Sequence, residues 1–108
     1  MIVEYIRYEM PDAQAQGGLV AGGLVAGYEQ ARKALEVSPH CLSYELTQCE
    51  EDAACFTLRI EWDSTAGHLE GFRRSPEFRD FYRAVAPFVS NIKEMRHYHL
   101  TNVQWRRS

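Results

Sequence analysis

No run of apolar residues in this 108-residue chain approaches the roughly 18 to 20 that a membrane-spanning helix needs. The N-terminal stretch MIVEYIRYEM has neither a basic flank nor a long apolar block. The expectation is a chain that neither spans a membrane nor is secreted, with the cytoplasm as its compartment. An excess of basic residues is also missing: 12 Lys and Arg stand against 15 Asp and Glu, a net charge of −3. That balance creates no field to attract a nucleic-acid backbone, so no nucleic-acid partner is expected. Arg73-Arg74 and Arg106-Arg107 accordingly read as solvated surface pairs. Cysteine is sparse. Cys41, Cys49 and Cys55 are odd in number and lack CxxC spacing, and a chain of this length needs no disulfide staples, which points to reduced thiols. One place remains for a cross-strand disulfide: Cys49 and Cys55 flank EEDAA and face each other in the simplest hairpin register.

Apolar residues make up 45% of the chain and charged residues 25%, an ordinary globular balance that predicts one folded domain over residues 1–108. Residues 2–9 (IVEYIRYE) alternate and stop before Pro11, which predicts a first strand. Val3, Tyr5 and Arg7 fall on one of its faces, and Ile2, Glu4, Ile6 and Tyr8 on the other. From Gly23 to Val37 the apolar positions Leu24, Tyr28, Ala31 and Leu35 recur at steps of four and three, an amphipathic helix closed by Ser38-Pro39. Residues 41–49 and 55–62 alternate about the EEDAA turn. Pairing them puts Tyr44 and Leu46 with Phe56, Leu58, Ile60 and Trp62 on one face, with Leu42 beside them. Glu45 then lies opposite Arg59, and Thr47 opposite Thr57. Asp63 or Ser64 suits the cap of a short helix through Gly71. Ser75-Pro76-Glu77 predicts a second N-terminus with a hydroxyl cap. Phe78, Phe81, Tyr82 and Val85 follow at helical spacing until Pro87. Alternation returns over residues 94–103, a last strand, with 104–108 a tail. The order β-α-β-β-α-β is that of an α+β, ferredoxin-like unit with an antiparallel sheet.

The pentapeptide GGLVA occurs twice, over residues 17–26. Five residues turn a helix by about 500°, so the copies cannot share one stripe, and the duplication reads as a loose helix start, a loop, or a small-residue packing face. It is not a phosphate loop, because Gly23-Leu24 stands where Lys and Ser or Thr would be needed.

The stretch EWDSTAGHLEGFRRSPEFRDFYRAVAPFV joins a strand ending in Trp62, a helix carrying His68 and then Ser75-Pro76 and Phe78. With the MIVEYIRY strand, SPHCLSYEL and EMRHYH, it resembles the antibiotic biosynthesis monooxygenase family over nearly the whole chain. It also looks like the domains of that type that occur alone or fused to truncated haemoglobins. The resemblance implies a homodimeric α+β barrel, each sheet packing its helix-free face on its partner's, with a pocket between sheet and helices. It further implies cofactor-free oxidation of a small aromatic substrate, such as a quinol, by molecular oxygen, no bound cofactor and a possible globin partner. A non-catalytic module for an aromatic or haem-related ligand is the alternative. Two types within the family carry further landmarks. The actinorhodin-pathway type has an Asn where this chain has Leu58 and an Arg where it has Tyr82. Haem-degrading members have a proximal His at Tyr82 and an Asn at Arg7. Trp62 is retained in both comparisons.

Cofactor-free oxygenation requires a base to form the substrate anion and a dry aromatic enclosure. His68 is the candidate base, an imidazole of near-neutral pKa close to the end of the Trp62 strand; the alternative is a partly exposed helix histidine. Trp62 offers a large face and an indole N–H, or is plain core. Arg7, if it faces inward with Val3 and Tyr5, is a candidate oxyanion clamp, or else pairs with Glu9 or Glu94. Tyr44, Phe72, Phe81 and Tyr82 are candidate lining residues for a bound substrate. His97 and His99 lie two apart on one strand face, but with two ligands visible they are not read as a metal site.

Overall fold

A computed structural model describes residues 1–11 and 23–108. Four strands and two helices follow the expected order: β1 (Ile2–Glu9), α1 (Leu24–Val37), β2 (Cys41–Gln48), β3 (Cys55–Trp62), α2 (Glu77–Val85) and β4 (Ile92–His99). Between β3 and α2 lies a single turn of π-helix, Gly67–Phe72, and after α2 a 3-10 segment, Ala86–Asn91, carries Pro87. The sheet order is β2-β3-β1-β4, every pair antiparallel, giving a ferredoxin-like α+β fold. Among the described residues no helix is long and apolar enough to cross a membrane. Residues 17–22 of the GGLVA duplication lie outside the described residues; Gly23 flanks the start of α1.

The helix stripe behaves as its spacing requires. Leu24, Tyr28, Ala31 and Leu35 are buried with Ala34, and the chain leaves α1 at Ser38 in an extended conformation that Pro39 enforces. In the hairpin, Glu45 pairs with Arg59 and Thr47 with Thr57. Cys49 accepts this register as well, donating its N–H to the Cys55 carbonyl at 2.8 Å, yet all three thiols are free.

Several expectations need correction. The largest concerns β1. The face that packs on the helices carries Ile6, Tyr8 and Glu4, while Arg7 lies on the helix-free face, half exposed and 3.3 Å from Glu9. Alternation separates two sets of side chains without saying which one turns inward. Ile2, Ile6 and Tyr8 outweigh Val3 and Tyr5 in apolar surface, so their face is buried and Glu4 goes with them. Arg7 is therefore no clamp in a pocket. A shift in the β2–β3 register between Cys41 and Ser43 sets Cys41 opposite Trp62 and against the core, leaving Leu42 exposed. Ser75 does not cap α2: its hydroxyl donates to the Phe72 carbonyl at 2.6 Å, closing the preceding π-turn instead. β4 starts two residues earlier than its alternation suggested and ends at His99, because beyond it Asn102 and Gln104 make only local backbone contacts and Val103 is 93% exposed.

Candidate active site

The core between sheet and helices is not filled completely. A cavity of about 190 Å³ is bordered by β1, α1, β3, the π-turn, α2, the 3-10 segment and β4. Its walls are almost wholly apolar, with Ile6, Ile60, Phe72, Phe81, Val85 and Ile92 among them, and Tyr82, half exposed, stands at the rim. A larger groove of about 580 Å³ on the outside of α1 and α2 is open and lined by Lys33, Glu77, Asp80 and Arg83 without convergent polar groups.

One end of the inner cavity is polar. Glu4, in the middle of β1, is 1% exposed, and its Oε1 accepts the Trp62 indole N–H at 3.0 Å. His68 is 4% exposed and stacks on the Trp62 ring, the centroids 4.4 Å apart and the planes within 9°. The indole face expected to receive a ligand is thus already covered on that side. His68 Nε2 lies 3.7 Å from Glu4 Oε1 and accepts from Arg73 Nε at 3.4 Å. On the other side of the ring, Nδ1 meets His97 Nε2 at 2.7 Å. Because an arginine nitrogen only donates, His68 Nε2 carries the lone pair, so Nδ1 bears the hydrogen and donates it to His97.

The π-turn makes this meeting possible. Five residues further along an α-helix lie about 140° round the axis, which would turn Arg73 away from His68. Here Arg73 N–H donates to the His68 carbonyl five residues back at 3.0 Å, and the wider turn brings both side chains to one face. Ser64 starts the helical turn by accepting the Gly67 N–H at 2.8 Å. Gly67 and Gly71 then leave room for His40, which is held by Asp63 at 2.8 Å. A Cβ at Gly71 would stand 2.4 Å from the His40 ring.

Burial sets the charges. Desolvation raises the Glu4 carboxyl above its ordinary range, partly offset by the Trp62 hydrogen bond and the Arg73 cation. Desolvation, with Arg73 and His97 adding to it, pushes His68 down to about 3. The near-neutral imidazole anticipated at this position is in fact a neutral ring that does not retain a proton on its own. His97 is lowered by desolvation and by Arg73. Tyr8 and Tyr28, joined through their hydroxyls at 2.5 Å, border the cavity from the other side, both raised, chiefly by burial.

Of the anticipated site residues, Trp62, His68, Phe72, Phe81 and Tyr82 come together around the cavity. Tyr44 does not. It donates its hydroxyl to Glu36 of α1 and borders a separate surface hollow with Cys41. His97 and His99 do not act as a pair: His97 turns to His68 and His99 is exposed. Donor atoms of Glu4, His68 and His97 lie within 4.8 Å of one another. The imidazole lone pairs a cation would need are directed elsewhere, His97 Nε2 toward His68 and His68 Nε2 toward the Arg73 guanidinium, while Glu4 stands 3.7 Å from His68 Nε2 without a hydrogen bond between them. Glu4 and Arg73 were missed as site residues. Glu4 shared its face with three apolar residues, the one available signal of a buried acid; Arg73 gave none, since only the π-turn brings it in.

The fold and chain match known proteins. Residues 21–84 match the family model described as antibiotic biosynthesis monooxygenase. An uncharacterised Bacillus subtilis protein, YczJ, is 25% identical over 97 residues, covering 90% of this chain and 87% of that one. A Bordetella bronchiseptica structure assigned to antibiotic biosynthesis monooxygenases superposes with a TM-score of 0.71 at 20% identity, covering 93% of this chain and 96% of that one. SnoaB from Streptomyces nogalater, a cofactor-independent oxygenase, superposes with a TM-score of 0.66 at 10% identity, covering 96% of this chain and 94% of that one. The chain belongs to the antibiotic biosynthesis monooxygenase family.

Proposed function

We propose that the protein is a cofactor-independent monooxygenase that oxidises a quinol or related hydroxy-aromatic with molecular oxygen. The observation that carries this reading is the cavity itself, an aromatic and aliphatic enclosure with its charged side chains, Glu4 and Arg73, gathered with His68 at one end. A flat ring is sheltered by Phe72, Phe81 and Ile60 while its hydroxyl reaches the polar end. The volume, about 190 Å³, is on the scale of the roughly 150 Å³ cavity that admits benzene, which favours one or two rings over three.

In such chemistry the deprotonated ring supplies the electron that oxygen needs. The substrate gains one oxygen atom and gives up two hydrogens, which leave with the second oxygen as water; oxygen takes four electrons from the substrate and no further reductant enters. Trp62 and His68 are the central site residues, Phe72, Phe81 and Tyr82 contact the ring, and Arg73 stabilises the anion. The protein acts as a homodimer through the helix-free face of its sheet, a reading supported by family membership and by helices on one side only. Sedimentation at micromolar concentration is expected to show twice the monomer mass; a monomer alone removes the dimer from the reading.

Oxygen uptake by metal-stripped protein with a panel of quinols tests the activity. Expected is uptake with water and the oxidised ring as products, lost in His68→Ala. Leu58 and Tyr82, standing where one type of family member has Asn and Arg, favour a second reading, a binding module for the same ligands. Tight quinol binding without oxygen uptake decides for it.

A further inference from the structure

We propose that Glu4 is the proton acceptor for the substrate hydroxyl, and that His68 and His97 carry that proton from the closed end of the cavity to the protein surface. This rests on the oxygenase reading and adds to it the identity of the base and a route.

Three observations meet here. Glu4 is the carboxylate that lines the cavity, and it is fixed by the Trp62 N–H, which meets its Oε1 at 3.0 Å; Oε2 is the oxygen assigned here to meet the substrate. The next polar atom is His68 Nε2, 3.7 Å from Glu4 Oε1; its lone pair accepts from Arg73 Nε at 3.4 Å in the resting site, and in the transfer the protonated carboxyl turns toward it and takes the place of that contact. His68 Nδ1 and His97 Nε2 are 2.7 Å apart, and His97 is only partly buried on edge strand β4, so its second ring nitrogen ends the chain where water is at hand. Every link is directional: acid to lone pair, N–H to lone pair, N–H to solvent.

The transfer balances. A hydroxy-aromatic O–H gives its proton to Glu4 and becomes the anion. Glu4 passes the proton to His68 Nε2 as Nδ1–H passes to His97 Nε2 and His97 Nδ1–H goes to water. When oxygen has added and the peroxide oxygen leaves as water, it needs a proton back. The same chain runs inward, and each ring regains its starting tautomer. Neither imidazole has to hold a charge for longer than the transfer, which suits rings whose burial and whose neighbour Arg73 disfavour the cation. The groups facing Glu4 are Trp62 from β3, His68 and Arg73 from the π-turn, His97 from β4, and Tyr8 and Tyr28, whose hydroxyls are raised further by the Glu4 charge. Arg73 is the one cation among them, and it keeps a net negative substrate–Glu4 pair tolerable.

Infrared difference spectra of the full chain with 1,4-benzoquinol under nitrogen test the acceptor without turnover. Expected is a protonated-carboxyl band on binding that Glu4→Gln abolishes. Quinol binding without that band overturns the proposal and leaves the substrate reading standing; no quinol binding overturns both. For the route, His97→Phe keeps an aromatic ring but no nitrogen. Expected is a roughly tenfold fall in kcat with KM unchanged, partly restored by added imidazole. A His97→Phe protein with the wild-type kcat removes His97 from the path and overturns the relay.

Discussion

On the helix-covered face of β1 and β3, Ile6, Tyr8, Leu58, Ile60 and Trp62 surround a single carboxylate, Glu4. On the opposite face of the same strands Arg59 pairs with Glu61 at 2.8 Å and with Glu45 at 3.7 Å, and Arg7 pairs with Glu9. Both faces alternate, both carry aromatic residues, and both contain charge. The difference lies in the solvent. A charge at the helix-free face keeps part of its hydration, and its partners are worth little. A charge on the covered face has lost its water, so each remaining hydrogen bond fixes its geometry and shifts its protonation. The proposed chemistry and the proposed dimer contact thus fall on opposite faces of one sheet.

The covered side should be the fragile one. Trp62→Ala removes a fully buried ring, the cover of His68 and the donor to Glu4, and is expected to cost about 3 to 5 kcal/mol. Trp62→Phe keeps most of the packing but leaves the carboxylate without its donor, at about 1 to 3 kcal/mol. Tyr5→Ala, on the other face against Tyr98 at 5.4 Å, is expected to cost less than either. Urea unfolding of the three variants measures the order, and equal losses at Trp62 and Tyr5 would erase the distinction between the faces.

Acid should expose the same asymmetry. His68, down to about 3 in the folded chain against 6.5 ordinarily, leaves the unfolded state binding more protons throughout that window. Stability is therefore present above pH 6.5 and is lost as pH falls toward 3; His97 acts in the same sense. Glu4 opposes them, because its raised carboxyl takes up a proton in the folded state first and falling pH relieves its burial. With two groups against one, thermal unfolding is expected to move to lower temperature between pH 7 and pH 5, by about 2 kcal/mol at most for His68. His68→Gln should flatten the slope. A midpoint independent of pH in the wild type would mean that His68 is not held as a neutral ring.

How much of this was legible follows the same division. Element order, the α1 stripe, the β2–β3 register from Thr47–Thr57 and Glu45–Arg59, and the ring of Trp62, Phe72 and Phe81 are consequences of periodicity, which a sequence displays directly. The facing of β1 was not, because Ile2-Glu4-Ile6-Tyr8 and Val3-Tyr5-Arg7 alternate equally well and only packed area decides between them. Misplacing that face moved Arg7 into the site and Glu4 out of it. The shift after Cys41 and the π-turn are single-residue events with no periodic signature, yet the second brings Arg73 to His68. The protonation state of His68 depends on how deeply it is buried, which no local pattern records.

A smaller effect, of opposite sign, is expected from Glu4→Gln at pH 8. The amide oxygen still accepts from Trp62 and the desolvated charge is gone, so the variant should be more stable by about 1 kcal/mol. Under the relay it should also lose roughly 10² to 10⁴ in turnover. Stability and activity moving apart in one substitution is the behaviour of a buried functional charge. A destabilised Glu4→Gln would instead make the carboxylate a structural anchor.

The smallest effect belongs to Arg7. Its guanidinium is 42% exposed and meets Glu9 at 3.3 Å on the same strand, so Arg7→Ala is expected to change monomer stability by less than about 0.5 kcal/mol and leave the quinol affinity unaltered. Its face, however, is the one a second copy would cover. There the Arg7 and Glu9 charges would lose their remaining water together, and removing one of them would leave the other buried without its partner. A substitution silent in the isolated chain should then weaken self-association, read as a raised dimer dissociation constant in sedimentation. If Arg7→Ala instead lowers quinol affinity in a protein whose assembly is unchanged, the assignment of chemistry to the covered face alone is wrong, and the helix-free face also shapes the site.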